Sequence, residues 1–212
     1  MKILVLNGSP KVKSDTFRLT DAFLKGMSQS GEHEIHIVHV RQKKIAPCRG
    51  CFGCWQRGDG HCVIADDQNA ILDLYRDADV IIWSFPLYCY GMPSHLKAVL
   101  DRTIPLVKMN MVRQPDGTVR HEALVDFSGI HTLVICGCGF PHWEGNFDGL
   151  KRCARSALAI RISSAYRKRL CSMCPQQPSW PIRCWQNSKR REKNMPPRCA
   201  FPLKRWLNWK NQ

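Results

Sequence analysis

Four of the twelve cysteines in this 212-residue chain lie close together, in the segment PCRGCFGCWQRGDGHC. Their spacing is Cys48-x2-Cys51-x2-Cys54-x7-Cys62. Three thiolates spaced in this way on a loop can converge on one face of a 4Fe-4S cluster, and a fourth can complete the ligand set. Four cysteines also form structural zinc sites, and free thiols without metal are a third interpretation. The segment therefore predicts metal or redox chemistry and leaves three alternatives open.

A second candidate site begins at the segment NGSPKVKSDT, residues 7–16, where hydroxyl and ammonium groups follow a strand-like run. Ser9, Ser14 and Thr16 supply hydroxyls, and Lys11 supplies positive charge. If a helix begins beside Ser14, its first backbone N–H groups form an anion-binding end. The segment is suited to hold a phosphate, and an ordinary loop with a serine helix cap is the alternative.

Two further segments place aromatic side chains beside glycine. PLYCYGMPS, residues 86–94, contains Tyr88 and Tyr90, which are suited to line a flat ring. Aromatic packing at the start of a helix is the alternative there. CGCGFPHWEGN, residues 136–146, has two glycines before Phe140, and glycine lets the backbone approach a ligand closely.

The strands and helices between these segments decide whether they meet. Apolar runs and alternation predict strands at Lys2–Asn7, Glu34–Val40, Ala78–Pro86 and His131–Gly139. Helical patterns are found at Ser14–Met27, Asp66–Arg76, Pro93–Val107 and from Asn146 onward, and QPDGT predicts a turn in a hairpin at 111–124. Strands alternating with helices indicate a doubly wound parallel α/β sheet. In such sheets ligands bind at the carboxyl ends of the strands, where the three loop segments lie.

In combination, these motifs resemble the flavodoxin-like NAD(P)H-dependent FMN reductase family, in the branch with clustered cysteines that includes the iron–sulfur flavoproteins. The matching stretches are GSPK…SDT at Gly8–Thr16, PCRGCFGC…C…DD at Pro47–Asp67, ADVIIWSFPLYCYGMPSHLKAVLDR at Ala78–Arg102 and CGCGF at Cys136–Phe140. The resemblance covers residues 1–151. It implies a flavodoxin-like parallel sheet with strand order 2-1-3-4-5, FMN as cofactor and NAD(P)H as co-substrate.

The resemblance also implies roles for individual residues. The FMN phosphate would be held by Ser9, Lys11, Ser14 and Thr16. The flavin ring would be bordered by Pro86, Leu87, Tyr88, Tyr90, Gly91 and Met92, and its far edge closed by Cys138, Gly139 and Phe140. A 4Fe-4S cluster would be bound by Cys48, Cys51, Cys54 and Cys62. The implied activity passes electrons from NAD(P)H through FMN to a small acceptor or to the cluster, and no side chain is assigned a catalytic role because the flavin carries the chemistry.

The charge of the chain is unevenly distributed. The net charge is +15, yet residues 1–151 hold 17 basic and 16 acidic residues, whereas residues 152–212 hold 15 basic residues and one acid, Glu192. We therefore expect a flavin-binding domain at 1–151 and an atypical basic tail at 152–212, either disordered or read out of frame. The one candidate for a fifth strand in the tail is Leu158–Ser163.

The composition also bears on location and partners. The N-terminal apolar run is too short for a signal peptide, and no run approaches the length of a membrane span. We expect a cytoplasmic protein that acts on small molecules, forms a homo-oligomer, and does not engage membranes or nucleic acid. The alternative function is a non-enzymatic redox sensor or nucleic-acid-binding protein that uses its basic tail.

Overall fold

A computed structural model describes residues 1–140 and 144–157 of the chain. The strands are β1 (Lys2–Asn7), β2 (Glu34–His39), β3 (Val80–Pro86), β4 (Val107–Arg113), β5 (Val119–Ala123) and β6 (His131–Gly137). The helices are α1 (Asp15–Ser28), α2 (Gly53–Arg57), α3 (Gln68–Asp77), α4 (Ser94–Asp101) and α5 (Asp148–Ala157). Short 3-10 turns lie at Val40–Gln42 and Ile104–Leu106.

The main sheet of the described residues has four parallel strands in the order β2-β1-β3-β6. Leu6 of β1 is paired with Trp83 of β3, which in turn is paired with Val134 of β6. This order confirms the predicted flavodoxin-like α/β fold, with β6 as the fourth strand of the sheet. The candidate fifth strand, 158–163, lies outside the described residues.

The two central strands, β1 and β3, are apolar along most of their length because helices cover both faces of the sheet. Ile3 and Val5 face α1, where they pack with Phe23 and Met27. The alternate residues of β1 and β3 pack in a second core with side chains from α3, α4 and α5. The carboxyl ends of β1, β3 and β6 therefore lie side by side between two packed layers.

Two helix boundaries differ from the sequence prediction for physical reasons. α3 begins at Gln68 rather than Asp66 because the Asp66 carboxylate accepts backbone N–H bonds from Ala46 and Gln68 and pairs with Arg102. The helix predicted over Pro93–Val107 ends at Asp101, and a 3-10 turn that contains Pro105 follows it. Proline has no N–H to donate, so it cannot continue the α-helical pattern.

The predicted hairpin is present as β4 and β5, an antiparallel pair outside the main sheet. Its turn is closed by a backbone bond from Gln114 N to Thr118 O of 2.7 Å, and Gly117 has φ +82°. The Asp116 carboxylate accepts the backbone N–H of Thr118 at 2.9 Å. These are the local bonds expected of an Asp-Gly turn.

The last described helix crosses the point where the composition changes. α5 buries Leu150 and Ala154 against the core, so the fold continues for several residues beyond 151. Residues 158–212 of the predicted basic tail, with the four cysteines after Cys153, lie outside the described residues. The division into 1–151 and 152–212 stays a prediction. Among the described residues, no helix combines the length and apolarity that a membrane crossing requires.

Candidate functional site

The loop after β1 is held in shape by its own polar groups. The Asn7 side chain accepts the backbone N–H of Ser9 at 3.0 Å, and the Ser9 hydroxyl accepts that of Lys11 at 3.3 Å. The Ser9 side chain is buried. Gly8 is required here because a Cβ at this position would lie 2.6 Å from Cδ2 of Leu96 on α4. The loop thus presents a fixed backbone at the carboxyl end of β1.

The start of α1 completes this loop. Ser14 is the N-cap residue, and its hydroxyl accepts the backbone N–H of Phe17 at 3.2 Å. Thr16 is buried in the first turn. The Asp15 side chain in the same turn is 88% exposed and pairs with Arg18. The carboxylate therefore leaves the positive end of the helix open to an anion.

The loop after β6 comes up against the same helix end. A Cβ on Gly137 would lie 2.7 Å from the Thr16 hydroxyl oxygen, so the two segments approach this closely only because Gly137 has no side chain. The backbone carbonyl of Gly137 accepts the N–H of Leu87 at 2.8 Å. These contacts bring all three predicted loops together at one edge of the sheet.

The loop after β3 forms a tight turn with aromatic side chains. Tyr88 and Gly91 exchange backbone hydrogen bonds of 3.0 and 2.9 Å across Cys89 and Tyr90, which both have positive φ. The Tyr90 ring stacks on Phe140 from the loop after β6, with ring centroids 6.0 Å apart. Tyr90 is nonetheless 56% exposed. Large, half-exposed rings at the mouth of a site offer a surface on which another ring can stack.

The arrangement fits FMN on two grounds. Hydroxyl groups and a capped helix N-terminus suit its phosphate, and the two glycines Gly8 and Gly137 keep side chains out of the approach between the loops. Leu87 and Met92 of the second loop are anchored on the core, while its tyrosines are exposed. An apolar floor beside exposed aromatic rings suits the flat ring system of a flavin.

The four clustered cysteines line one concavity on another part of the surface. Its walls include the end of α4 and the turn that follows it. The cysteine loop turns sharply, because Gly50, Phe52 and Gly58 have positive φ. Burial raises the pKa of the Cys54 thiol, and the neighbouring Cys62 and Cys51 act in the same direction.

The spacing of the thiols bears on the choice of metal. Among residues 1–140 and 144–157, no three His, Cys, Asp or Glu side chains are placed to hold a single metal ion. Zinc would require four sulfurs within about 2.3 Å of one point. A 4Fe-4S cluster is instead bound by thiolates at separate corners of a larger group, and metal analysis of the protein distinguishes the two.

Long-range contacts fix the cysteine loop. The Trp55 indole N–H donates to the carbonyl of Val107 on β4 at 2.9 Å, and the Asn69 side chain bonds both the N–H and the C=O of Cys62. Arg102 is almost completely buried and pairs with Asp66. The sequence alone does not indicate a role for these residues, because nothing in the local sequence links positions up to 56 residues apart.

Comparison with known proteins gives a consistent result. A family profile described as NADPH-dependent FMN reductase matches residues 1–118. An iron–sulfur flavoprotein of Methanosarcina thermophila is 34% identical over 82% of this chain and 95% of its own length. Another, from Methanocaldococcus jannaschii, is 28% identical over 70% of this chain and 83% of its own.

Solved structures share the fold at lower identity. An NAD(P)H:quinone oxidoreductase from Methanothermobacter marburgensis has a TM-score of 0.55 and 17% identity, covering 75% of each chain. An FMN-dependent NADH-azoreductase from Bacillus anthracis, solved in complex with FMN, has a TM-score of 0.54 and 19% identity. It covers 76% of this chain and 83% of its own.

Proposed function

The chain belongs to the NADPH-dependent FMN reductase family, and we propose that it passes electrons through bound FMN to a small acceptor or to an iron–sulfur cluster. It is an NAD(P)H-dependent FMN oxidoreductase with FMN as cofactor and NAD(P)H as co-substrate. The observation that carries the proposal is the meeting of three loops, from β1, β3 and β6, at one edge of the sheet.

The phosphate of FMN would be held at the first loop. Ser14 and Thr16 lie at the N-terminus of α1, and Ser9 and Lys11 lie on the loop that leads to it. Hydroxyl donors and helix N–H groups stabilise a dianionic phosphate together, each charge-assisted bond being worth about 1.5–3 kcal/mol. This loop therefore provides the anchor that sets the position of the ring.

The ring would be bordered by the second and third loops. The residues from the second are Pro86, Leu87, Tyr88, Tyr90, Gly91 and Met92, and those from the third are Cys138, Gly139 and Phe140. When bound, FMN supplies the hydride and electron transfer, which no side chain of the site could perform. The protein's part is to stack the ring, exclude water beneath it and leave one side open to NAD(P)H and the acceptor.

The second electron-carrying group would be a 4Fe-4S cluster on Cys48, Cys51, Cys54 and Cys62. Two relatives that align over most of their length are named iron–sulfur flavoproteins, and the four thiols of this chain line one concavity. The concavity lies beside the C-terminal end of α4, whose N-terminal end adjoins the flavin loops through a bond from His95 to the Gly8 carbonyl. The eight residues of α4 place the two ends about 12 Å apart.

The acceptor and the assembly belong to the same proposal. Quinones are a reasonable class of acceptor because a structural neighbour is named as an NAD(P)H:quinone oxidoreductase and exposed aromatic rings border the site. We also propose a homo-oligomer, because the hairpin exposes Met109 and Met111 at 69% and 68%. A single peak of monomer mass in light scattering would contradict the oligomer.

A charge-reversing variant tests the flavin site. Ser14→Asp keeps a good N-cap residue, so α1 should still form, but it places a carboxylate where the phosphate would bind. We expect the dissociation constant of FMN to rise at least tenfold. Ser28→Ala, at the other end of the same helix, is the matched control and should leave the affinity unchanged. Unaltered FMN affinity in Ser14→Asp would place the phosphate elsewhere.

Metal analysis tests the cluster. Protein purified without oxygen should contain iron and acid-labile sulfide in equal amounts, and Cys54→Ser should lower both while flavin remains bound. Cys153→Ser on α5 is the control, since this cysteine lies apart from the concavity. Zinc without sulfide, or neither metal, would exclude the cluster.

A further inference from the structure

The guanidinium of Arg102, just after α4, is the one charged group among the residues that line the cysteine concavity whose side chain is fully buried. Two of its N–H groups bind the Asp66 carboxylate, with Nη1–Oδ2 and Nη2–Oδ1 distances of 2.5 and 2.9 Å. Two more point at the backbone carbonyls of Ala46 and Ile64, at 3.0 and 3.4 Å. Four of its five donors are thus accounted for by protein oxygens.

The two carbonyls are the two ends of the cysteine loop. Ala46 lies two residues before Cys48, and Ile64 lies two residues after Cys62. The Asp66 carboxylate strengthens the same closure, because it also accepts the backbone N–H of Ala46 at 2.9 Å. Arg102 and Asp66 therefore tie the entry and the exit of the loop to one point.

The fifth donor, the Nε–H group, is bound to no protein oxygen among the described residues. The Nε atom of Arg102 is buried and has no hydrogen-bond partner among the described residues. The Cys62 side chain interacts with the same guanidinium. The group stays charged, because the guanidinium of arginine is not deprotonated in proteins and Asp66 pairs with it. A buried, unpaired N–H costs free energy unless a ligand accepts it.

We propose that Arg102 is the positioning residue of the four-cysteine site: it closes the loop across Ala46 and Ile64 and directs its Nε–H at a sulfur of the group bound there. This inference rests on the proposed cluster. Hydrogen bonds to sulfur and nearby positive charge both favour the reduced, more negative form of a cluster. Arg102 therefore raises the reduction potential of the site as well as shaping the loop.

The test compares two arginines of the same concavity. Arg102→Lys keeps the positive charge but removes the planar set of five N–H donors. Arg49→Lys makes the same change at an exposed position of the concavity. Reduction potentials are measured by anaerobic spectroscopic titration of the purified proteins. We expect Arg102→Lys to shift the ratio of reduced to oxidised cluster about tenfold toward the oxidised form, or about 59 mV for one electron. Arg49→Lys should leave it unchanged.

Two further measurements keep the outcomes separate. If Arg102→Lys does not fold, the charge-neutral pair Arg102→Gln with Asp66→Asn replaces it, because no charge is then left buried alone. An unchanged potential in a folded variant that still binds iron and sulfide would overturn the bond to sulfur. A shift of equal size in Arg49→Lys would also overturn it, since the potential would then not depend on the buried guanidinium of Arg102 in particular.

If the proposed cluster is absent, the wild-type protein will contain neither iron nor sulfide. The closing role of Arg102 is then tested in the metal-free protein by measuring the rate at which N-ethylmaleimide labels each cysteine, with peptide mass spectrometry as the readout. Cys62 is buried and Cys48 exposed, so Cys62 should react more slowly in the wild type. Arg102→Lys should raise the labelling rate of Cys62 at least tenfold, and an unchanged rate would overturn the closing role as well.

Discussion

The loop after β1 and the cysteine loop after β2 leave neighbouring strands of one sheet, yet they are held in different ways. In the first, the bonds from Asn7 to Ser9 and from Ser14 to Phe17 span two or three residues, and the long-range bonds are made by its first two residues, to His39, Ser84 and His95. In the second, the contacts that fix the loop reach to Val107 and Arg102, 52 and 36 residues away. After its first two residues the β1 loop is shaped by local bonds, whereas the cysteine loop is fixed by distant parts of the fold.

Because of this difference, we expect substitutions in the two loops to have different consequences, for ligand binding in one and for the stability of the fold in the other. A change in the β1 loop should affect ligand binding most, because its hydroxyls are proposed to bind the phosphate and the bonds that Ser9 and Ser14 make are local. A change in the contacts of the cysteine loop should affect folding most, because a buried ion pair and distant elements are disturbed together. The variants described next test this contrast, from the largest expected effect to the smallest.

Removing the charge of Asp66 should have the largest effect on stability. Asp66→Asn leaves the Arg102 guanidinium buried without a counter-charge, and breaking a buried pair in this way costs about 3–5 kcal/mol. Urea unfolding of the metal-free protein measures the change. Asp59→Asn is the matched control, because Asp59 belongs to the same loop and its pair with Arg57 is exposed. Equal effects in the two variants would mean that Arg102 does not depend on Asp66.

The same pair predicts how stability changes with pH. Burial acts to raise the pKa of Asp66, but hydrogen bonds from Arg102 and from the backbone of Ala46 and Gln68 hold it below its ordinary value of 3.8. A lowered carboxylate pKa stabilises the fold above the unfolded value, and this contribution is lost as pH falls through the folded-state value. The stability gap between wild type and Asp66→Asn should be constant near neutral pH and close below pH 3.8. A gap that persists in stronger acid would contradict the assignment.

A methyl group at Gly8 should have an intermediate effect. Its Cβ would meet Leu96 at 2.6 Å and 2.9 Å, so α4 or the β1 loop must shift, at a cost of about 1–3 kcal/mol. FMN affinity should fall as well, because the loop that moves carries the hydroxyls proposed to bind the phosphate. Gly129→Ala is the control, since a Cβ there has no neighbour within 4 Å. If both variants bind FMN as tightly as wild type, the close approach of Leu96 has no bearing on the site.

The contrast between the loops also explains what the sequence could predict. The strand segments of the parallel sheet, the N-cap at Ser14 and the Asp-Gly hairpin turn are each encoded by residues near one another in the chain, and the structure confirms all three. The roles of Arg102 and Asn69 could not be foreseen, because each binds backbone groups that only the folded chain brings close. Asp66 illustrates the limit, since its place before a helix suggested a first-turn acid rather than a partner for Arg102.

The smallest predicted effect concerns the turn that would border the flavin ring. Cys89 and Tyr90 have φ values of +46° and +61°, in a two-residue turn closed by the Tyr88–Gly91 bonds. Turns of this kind favour glycine, and other residues there are strained by about 1–3 kcal/mol each. Strain that persists beside a site indicates that the side chains are retained for their function.

Tyr90→Gly should therefore stabilise the chain by about 1 kcal/mol while weakening FMN binding. Relief of the strain exceeds the extra entropy of glycine in the unfolded chain, which costs about 0.5–1 kcal/mol. The stack between Tyr90 and Phe140 is lost at the same time, and with it one wall for the ring. Cys89→Gly relieves a similar strain and leaves Tyr90 in place, so it should raise stability without loss of affinity. Thermal unfolding and FMN titration of the two variants separate the effects, and equal FMN affinity in both would remove Tyr90 from the flavin site.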